Sequence, residues 1–272
     1  MTTVAPASLI QAINQEHGLA LTLAARYPGG EQGAYALIGP HGARLVLKWN
    51  AGPALLERFR RAAHIAARLR QLGYPTPHYV HYGSVYDLSY ALQSELPGHP
   101  MGRLTAEFLA PLLALNELQT GQAGDCPREW PSTVVDSVLH GGVGFCLLDT
   151  MRSYSAATNQ LLDTLQAVVA THAADIDTRV DDIVHFDFTP ANILVGDRHI
   201  TGVIDWEGAC AGDRAFDLAT LLFYNYDQPE ICAYASSTVL REMPNLCAST
   251  RVAGNRIPAI SFPAKIAVRR LS

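Results

Sequence analysis

His185-Phe186-Asp187-Phe188-Thr189-Pro190-Ala191-Asn192 places a carboxylate and a carboxamide five residues apart behind a histidine, and Val203-Ile204-Asp205-Trp206 then brings a second acid behind a short apolar run. Phosphoryl transfer needs an acceptor-orienting carboxylate and metal-holding oxygens within a few ångströms of one another. A His-x-Asp-x-x-x-x-Asn loop supplies both from one turn of chain. On this pattern Asp187 takes the proton of an acceptor hydroxyl and Asn192 holds one Mg²⁺. Asp205 binds magnesium across the β- and γ-phosphates, because Mg²⁺ takes few protein oxygens and completes its shell with those of the substrate.

The segment between Asn192 and Asp205 explains how these groups meet. Ile193-Leu194-Val195 and Ile200-Thr201-Gly202-Val203-Ile204 flank Gly196-Asp197-Arg198-His199, the pattern of a β-hairpin with turn residues at its tip. A turn centred on Asp197-Arg198 sets Asn192 opposite Val203 and carries Asp205 just past it, toward Pro190. A strand-like Ile183-Val184 precedes the loop. Without the second acid, the same loop would be no more than a polar turn ending in asparagine.

These residues resemble the aminoglycoside phosphotransferase and choline kinase-like superfamily, relatives of the protein kinases, and the resemblance covers about residues 20 to 240. It implies an α+β, bilobal, protein-kinase-like fold. A small N-terminal β-sheet lobe plus one helix, residues 1–96, clamps the nucleotide; a larger, mostly helical C-terminal lobe, residues 97–272, carries the catalytic loop and the acceptor site. Family members usually have glycine after the histidine. This chain has Phe186, which leaves the reacting groups in place and alters the packing of the loop.

The resemblance assigns further residues. Leu45-Val46-Leu47-Lys48-Trp49 is an apolar strand with one lysine, and the family's third strand presents such a lysine to the α- and β-phosphates. Upstream, Tyr27-Pro28-Gly29-Gly30-Glu31-Gln32-Gly33-Ala34 joins two apolar segments. Gly30 and Gly33 let backbone N–H groups approach phosphates, although the stretch equally fits a plain Pro-Gly hairpin loop. Tyr90-Ala91-Leu92-Gln93-Ser94-Glu95-Leu96-Pro97-Gly98 resembles the hinge between lobes, where the Ser94 carbonyl and the Leu96 amide contact the adenine edge.

One expected group is missing. Relatives carry a glutamate on the helix after the lysine strand, paired with that lysine. Counting back from Gly73-Tyr74-Pro75, its position falls near Ala62 or Ala63, and neither is acidic. Glu57, one to two turns earlier, is the substitute the sequence offers if the helix is shifted. Asp217, at the start of a later helix, has the family role of bracing the catalytic loop, with His185 in a similar role. Histidine is a poor ligand for Mg²⁺, which selects oxygen.

The segment after Asp205 bears on the acceptor. Gly208 to Ala219 brings the next helix within a dozen residues, which leaves no platform for a peptide and points to a small molecule entering a cleft. The acids Asp175, Asp177, Asp181, Asp182, Asp187, Asp197, Asp205, Glu207, Asp213 and Asp217 face only Arg179, Arg198 and Arg214. Clustered on one face they would attract a polycation; as a solvated surface they would do nothing of the kind. The expectation is an ATP-dependent (GTP possible), Mg²⁺-dependent O-phosphotransferase acting on a cationic antibiotic of the aminoglycoside or basic peptide type. Two other readings stand beside it: a metabolic kinase for choline, homoserine or a sugar, and a catalytically weak nucleotide-binding regulator.

Whole-chain properties agree. The 272 residues are 49% hydrophobic, enough for two packed lobes, and a net charge of -5 argues against nucleic acid as partner. Cys126, Cys146, Cys210, Cys232 and Cys247 are scattered, without the spacing of a disulfide framework or a zinc site. With no basic, apolar leader and no span of about 18 apolar residues, the expectation is a cytoplasmic monomer or homodimer off the membrane. From about Pro244 onward Gly254, Pro258 and Pro263 interrupt every helical pattern, so the tail is atypical.

Overall fold

The computed structural model describes residues 4–28, 33–142, 147–175, 180–225 and 227–228. The N-terminal lobe is a five-stranded antiparallel sheet of β1 (Thr22–Arg26), β2 (Tyr35–Ile38), β3 (Arg44–Ala51), β4 (Tyr79–Val85) and β5 (Leu88–Ser94), in the order β1-β2-β3-β5-β4. Two helices join it: α1 (Pro6–His17) precedes the sheet and α2 (Pro53–Gln71) connects β3 to β4. The expectation of one helix in this lobe is therefore corrected to two. α1 begins on a proline and ends on Gly18 in the left-handed region at φ 63, the asymmetry expected of helix termini.

Strand alternation divides the sheet between two environments. Leu47, Tyr90 and Leu92 are buried together with Leu9, Ile10 and Ile13 of α1. Lys48 lies opposite Ala91 in the β3–β5 register, on the other face, where Ala91 packs with Phe59, Ala62, Ile65, Ala66 and Leu69 of α2. That spacing on α2 is one apolar helical stripe. Each fully buried leucine or isoleucine there contributes about 1.5–3 kcal/mol, so the lysine is carried by a strand that is anchored on both sides.

The C-terminal lobe contains α3 (Ala106–Glu117), α4 (Trp130–Leu139), α5 (Leu148–Tyr154), α6 (Ala156–His172) and α7 (Ala215–Phe223) among the described residues. In the sequence Leu104 to Leu118 and Ser155 to Thr171 show helical periodicity, and these stretches form α3 and α6, the latter capped by the Ser155 hydroxyl, which accepts from the Thr158 N–H. Two small antiparallel sheets hold the centre. β6 (His99–Pro100), β8 (Ile193–Gly196) and β9 (His199–Val203) form one, and β7 (Asp182–Val184) with β10 (Cys210–Gly212) the other. The chain thus leaves the large sheet at Ser94 and enters the second lobe by pairing His99 with Val195. Gly98, at φ 102, permits this crossing, because a Cβ there would stand 2.6 Å from the Val195 carbonyl oxygen.

The β8–β9 hairpin forms with one correction of register. Val203 lies opposite Ile193 rather than Asn192, because an irregularity between Leu194 and Val195 shifts the ladder by one residue. The tail beyond Pro244 lies outside the described residues. No described helix is long and apolar enough to cross a membrane.

Candidate active site

The loop after β7 is held from beneath by Asp217 of α7. Its buried carboxylate accepts from the backbone N–H of His185 at 2.8 Å and of Phe186 at 3.0 Å, and from the Gln119 side chain at 2.8 Å. Burial pushes the Asp217 carboxyl above its usual value, against the pull of His185 and these donors. The His185 ring is equally committed. Its Nε2 donates to the Ile204 carbonyl at 2.9 Å, while Nδ1 accepts from the Asp187 N–H at 3.3 Å, which assigns the ring hydrogen to Nε2. The ring also meets buried Trp206 edge-on, with centroids 4.5 Å apart.

Phe186 explains the departure from the family's glycine. Its φ is 74, a left-handed conformation that glycine adopts freely and other residues resist. The turn places Asp187 at the surface of the loop. There the Asn192 amide nitrogen donates to the Asp187 carboxylate at 2.7 Å and to its backbone carbonyl at 2.9 Å. The Ile204 N–H donates to the Asn192 carbonyl at 2.9 Å. Ile204 is therefore bonded to His185 on one side and Asn192 on the other, which seats Asp205 against both ends of the loop.

Asp205 itself sits at φ 72 and ψ 53. Across the cleft the Lys48 ammonium donates to its carboxylate at 3.0 Å and to both oxygens of Glu207, at 3.2 and 3.1 Å. Gln93 donates to Glu207 at 3.2 Å, and the Tyr79 hydroxyl lies 3.5 Å from the same oxygen. Burial acts to lower the lysine, but the charges of Glu207 and Asp205 outweigh it and hold the ammonium above its ordinary value. Burial acts to raise Asp205, yet Lys48 prevails and holds it well below the carboxylate range. Glu207 goes the other way, pushed by burial up to about 7, with Lys48 opposing and the neighbouring Asp205 adding to the rise.

One sequence expectation is corrected here, and one residue that it missed is added. Glu57 does not approach Lys48: it is exposed and accepts from Arg60 on its own helix at 3.0 and 3.2 Å. Five residues separate it from Ala62, a rotation of about 140° around an α-helix, so it faces away when Ala62 faces in. Glu207 stands in the sequence only as one member of an acidic run, which hides its role at Lys48. The signal that could have found it is its place two residues after Asp205, in a stretch of mostly apolar residues.

The acidic run is likewise not one surface among the described residues. Asp181 pairs with Arg128, while Asp182 accepts from the Gly121 N–H at 2.9 Å and lies 3.7 Å from Arg214. Asp213 caps the Ala215 N–H at 2.8 Å, Asp217 is internal, and Asp197 sits in the hairpin turn at φ 46. Local structure takes up most of these charges, so the run alone carries no argument for a cationic ligand.

At the hinge, Ser94 is tied down: its N–H donates to the His78 carbonyl at 2.8 Å and its hydroxyl accepts from the His78 N–H at 2.9 Å. Glu95 forms a two-pronged pair with Arg44, at 2.6 and 2.8 Å. Leu96 packs against Gly202, where a Cβ would stand 2.6 Å from its side chain. β1 and β2 close below the glycine-containing loop through the Tyr27 N–H and the Ala34 carbonyl at 2.9 Å. Gly33 lies beside the Arg26 guanidinium with φ 74; Gly30 lies outside the described residues.

The donor set fits magnesium. No three His, Cys, Asp or Glu side chains gather as a self-sufficient metal cage among the described residues. Both contacts of the Asn192 side-chain nitrogen go to Asp187, which leaves the side-chain oxygen Oδ1 to accept a cation. Few protein oxygens, supplemented by phosphate and water, are what Mg²⁺ requires.

The profile of the phosphotransferase enzyme family matches residues 24–239. Among solved structures, a thermostable mutant of the aminoglycoside phosphotransferase APH(4)-Ia, in ternary complex with ADP and hygromycin B, is similar with TM-score 0.64 and 19% identity over 90% of this chain and 86% of its own. The aminoglycoside phosphotransferase APH(3'')-Id from Streptomyces rimosus, in complex with ADP and streptomycin, aligns with TM-score 0.59 and 16% identity over 88% and 91%. A macrolide 2'-phosphotransferase type I aligns with TM-score 0.57 and 17% identity over 88% and 84%. Comparison with curated protein sequences gives no significant match. The kinase-like fold, the loop from His185 to Asn192 and the matched profile agree: this chain belongs to the phosphotransferase enzyme family and is a small-molecule phosphotransferase.

Proposed function

We propose that the chain transfers the γ-phosphate of ATP, or of GTP, to a hydroxyl of an antibiotic of the aminoglycoside or basic peptide type. The observation that carries the chemistry is the clamping of Ile204 between His185 and Asn192, which joins the loop of Asp187 to the segment of Asp205. The antibiotic class is supported by the hygromycin B and streptomycin complexes among the similar structures.

In this reading Asp187 accepts the proton of the acceptor hydroxyl. The Asn192 amide, bonded to one carboxylate oxygen, fixes the plane of the carboxylate and leaves the other oxygen to receive the hydroxyl. Asp205 and Asn192 would hold Mg²⁺, which when bound neutralises phosphate charge. Lys48 adds its own positive charge to the phosphates, and such fixed charges supply most of the catalysis in phosphoryl transfer. Ser94 and Leu96 present main-chain groups to the base, and the loop containing Gly30 and Gly33 covers the phosphates.

The acceptor is small because Asp205 and α7 are joined only by the 3₁₀ turn Trp206–Gly208 and β10. The test is Mg²⁺-dependent ADP release across aminoglycosides, basic peptide antibiotics, macrolides, choline and homoserine, with Asp187→Ala as blank. Stimulation by aminoglycosides or basic peptides supports the reading. Stimulation by choline or homoserine alone replaces it with a metabolic kinase, and silence with nucleotide binding intact replaces it with a regulator.

A further inference from the structure

We infer that Glu207 is the positioning residue of Lys48, so that the lysine is oriented from the segment carrying the metal acid and by no side chain of helix α2. The inference rests on the phosphotransferase reading, in which Lys48 acts on the phosphates.

Three observations carry it. Both oxygens of Glu207 accept from the Lys48 ammonium, at 3.2 and 3.1 Å. The carboxylate is itself held by Gln93 of β5 at 3.2 Å, with the Tyr79 hydroxyl of β4 at 3.5 Å, and its side chain is only 12% exposed. Finally, α2 offers no rival. Ala62 faces inward, wholly buried and in one core cluster with Trp206, while Glu57 is turned to solvent and bonded to Arg60.

The small side chain at Ala62 has a positive consequence. It lets α2 pack against the 3₁₀ turn Trp206–Gly208, which brings Glu207 up beneath β3. A glutamate at Ala62 would occupy that contact. Metal acid and positioning glutamate are therefore set by one short segment, 157 and 159 residues from Lys48 in sequence. The ammonium is shared between Asp205 and Glu207. A cation taking the Asp205 carboxylate competes for only one of these bonds, and Glu207 keeps the lysine extended while its remaining hydrogens turn to phosphate. Assembly of the site then does not depend on movement of α2.

The experiment is a double-mutant cycle on the full chain, with Lys48→Met, Glu207→Gln and the double variant, plus Glu207→Asp and Glu57→Ala. Misplacing a reacting group by about 1 Å costs on the order of 10²-fold. Glu207→Gln is therefore expected to lower kcat by about that factor, with Glu207→Asp intermediate and Glu57→Ala within about twofold of the parent. The double variant is expected to be no slower than Lys48→Met, because residues that act through one another are not additive. Melting temperatures give a second readout that needs no substrate: the double variant should lose less than the sum of the two single losses.

Multiplying effects on kcat would overturn the inference, since Glu207 would then act independently of Lys48. An effect of Glu57→Ala equal to that of Glu207→Gln would overturn it in favour of α2. Should Glu207→Gln fail to fold, Glu207→Asp carries the same comparison. If the parent chain transfers phosphate to no acceptor, the phosphotransferase reading fails and the catalytic half of the inference with it. Parent-level activity in Glu207→Gln would refute the inference alone.

Discussion

The rings of Phe186 and Phe216 stack 5.0 Å apart at 20° to one another, and this contact holds a non-glycine residue in the left-handed conformation at the entrance to the catalytic loop. A residue with a Cβ costs roughly 1–2 kcal/mol there. The stack offsets part of that cost, since an aromatic pair contributes about 0.5–1.5 kcal/mol beyond its buried area.

The consequence is an inverted order of stabilities. Phe186→Ala keeps the strained backbone and loses the stack, whereas Phe186→Gly loses the stack and also releases the strain. We expect the glycine variant to be the more stable of the two by about 1 kcal/mol, measured by urea unfolding. The usual order, with alanine more stable, would show that φ 74 is not maintained in solution.

Asp187→Asn should separate chemistry from binding. In the proposed function Asp187 is the general base, whose loss costs about 10²–10⁴-fold in rate, whereas the groups proposed to hold the nucleotide, Lys48 and the hinge, are untouched. Nucleotide titration should give the parent affinity while turnover falls by that factor. A parallel loss of affinity would mean that Asp187 holds the nucleotide or its cation.

Asp217→Asn replaces one acceptor oxygen by a donor, which then faces either the Phe186 N–H or the His185 N–H and the Gln119 amide. A buried donor left without a partner costs about 1–3 kcal/mol, so a drop of roughly 2 kcal/mol in unfolding free energy is expected. Because the loop backbone hangs on this carboxylate, turnover should fall as well. Unchanged stability would mean that water reaches the site and takes over these bonds.

The Arg44–Glu95 pair makes the hinge sensitive to acid. The hydrogen bond from Arg44, against some burial, holds the Glu95 carboxyl below its ordinary value. Its contribution is therefore fully present above the unfolded-state pKa and is lost as pH falls through the lower folded value. The difference in melting temperature between parent and Glu95→Gln should shrink between about pH 6 and about pH 3. A difference that is constant over that range would show that the pair contributes nothing in solution.

Short-range chemistry is legible in the chain itself. The loop from His185 to Asn192 and the hairpin that returns to Asp205 lie within 21 residues, where turn residues and alternation determine geometry without reference to the rest of the molecule, whereas the brace from Asp217 is legible only through the family resemblance. The periodicities of α3 and α6 are readable for the same reason. α1 is harder to find although Pro6 and Gly18 mark its ends, because only Leu9, Ile10 and Ile13 of its short length are buried and the kinase-like pattern begins at the first strand.

The reaction class was determined by sequence alone, as were the local loop and hairpin that carry Asp187, Asn192 and Asp205, since these are specified by side-chain type at fixed local spacing. Only the tertiary structure decided which acid holds Lys48 and which acids merely cap, brace or pair. A carboxylate's role depends on what surrounds it, and Glu207 meets Lys48 across 159 residues of sequence, where α2 packs against the turn Trp206–Gly208.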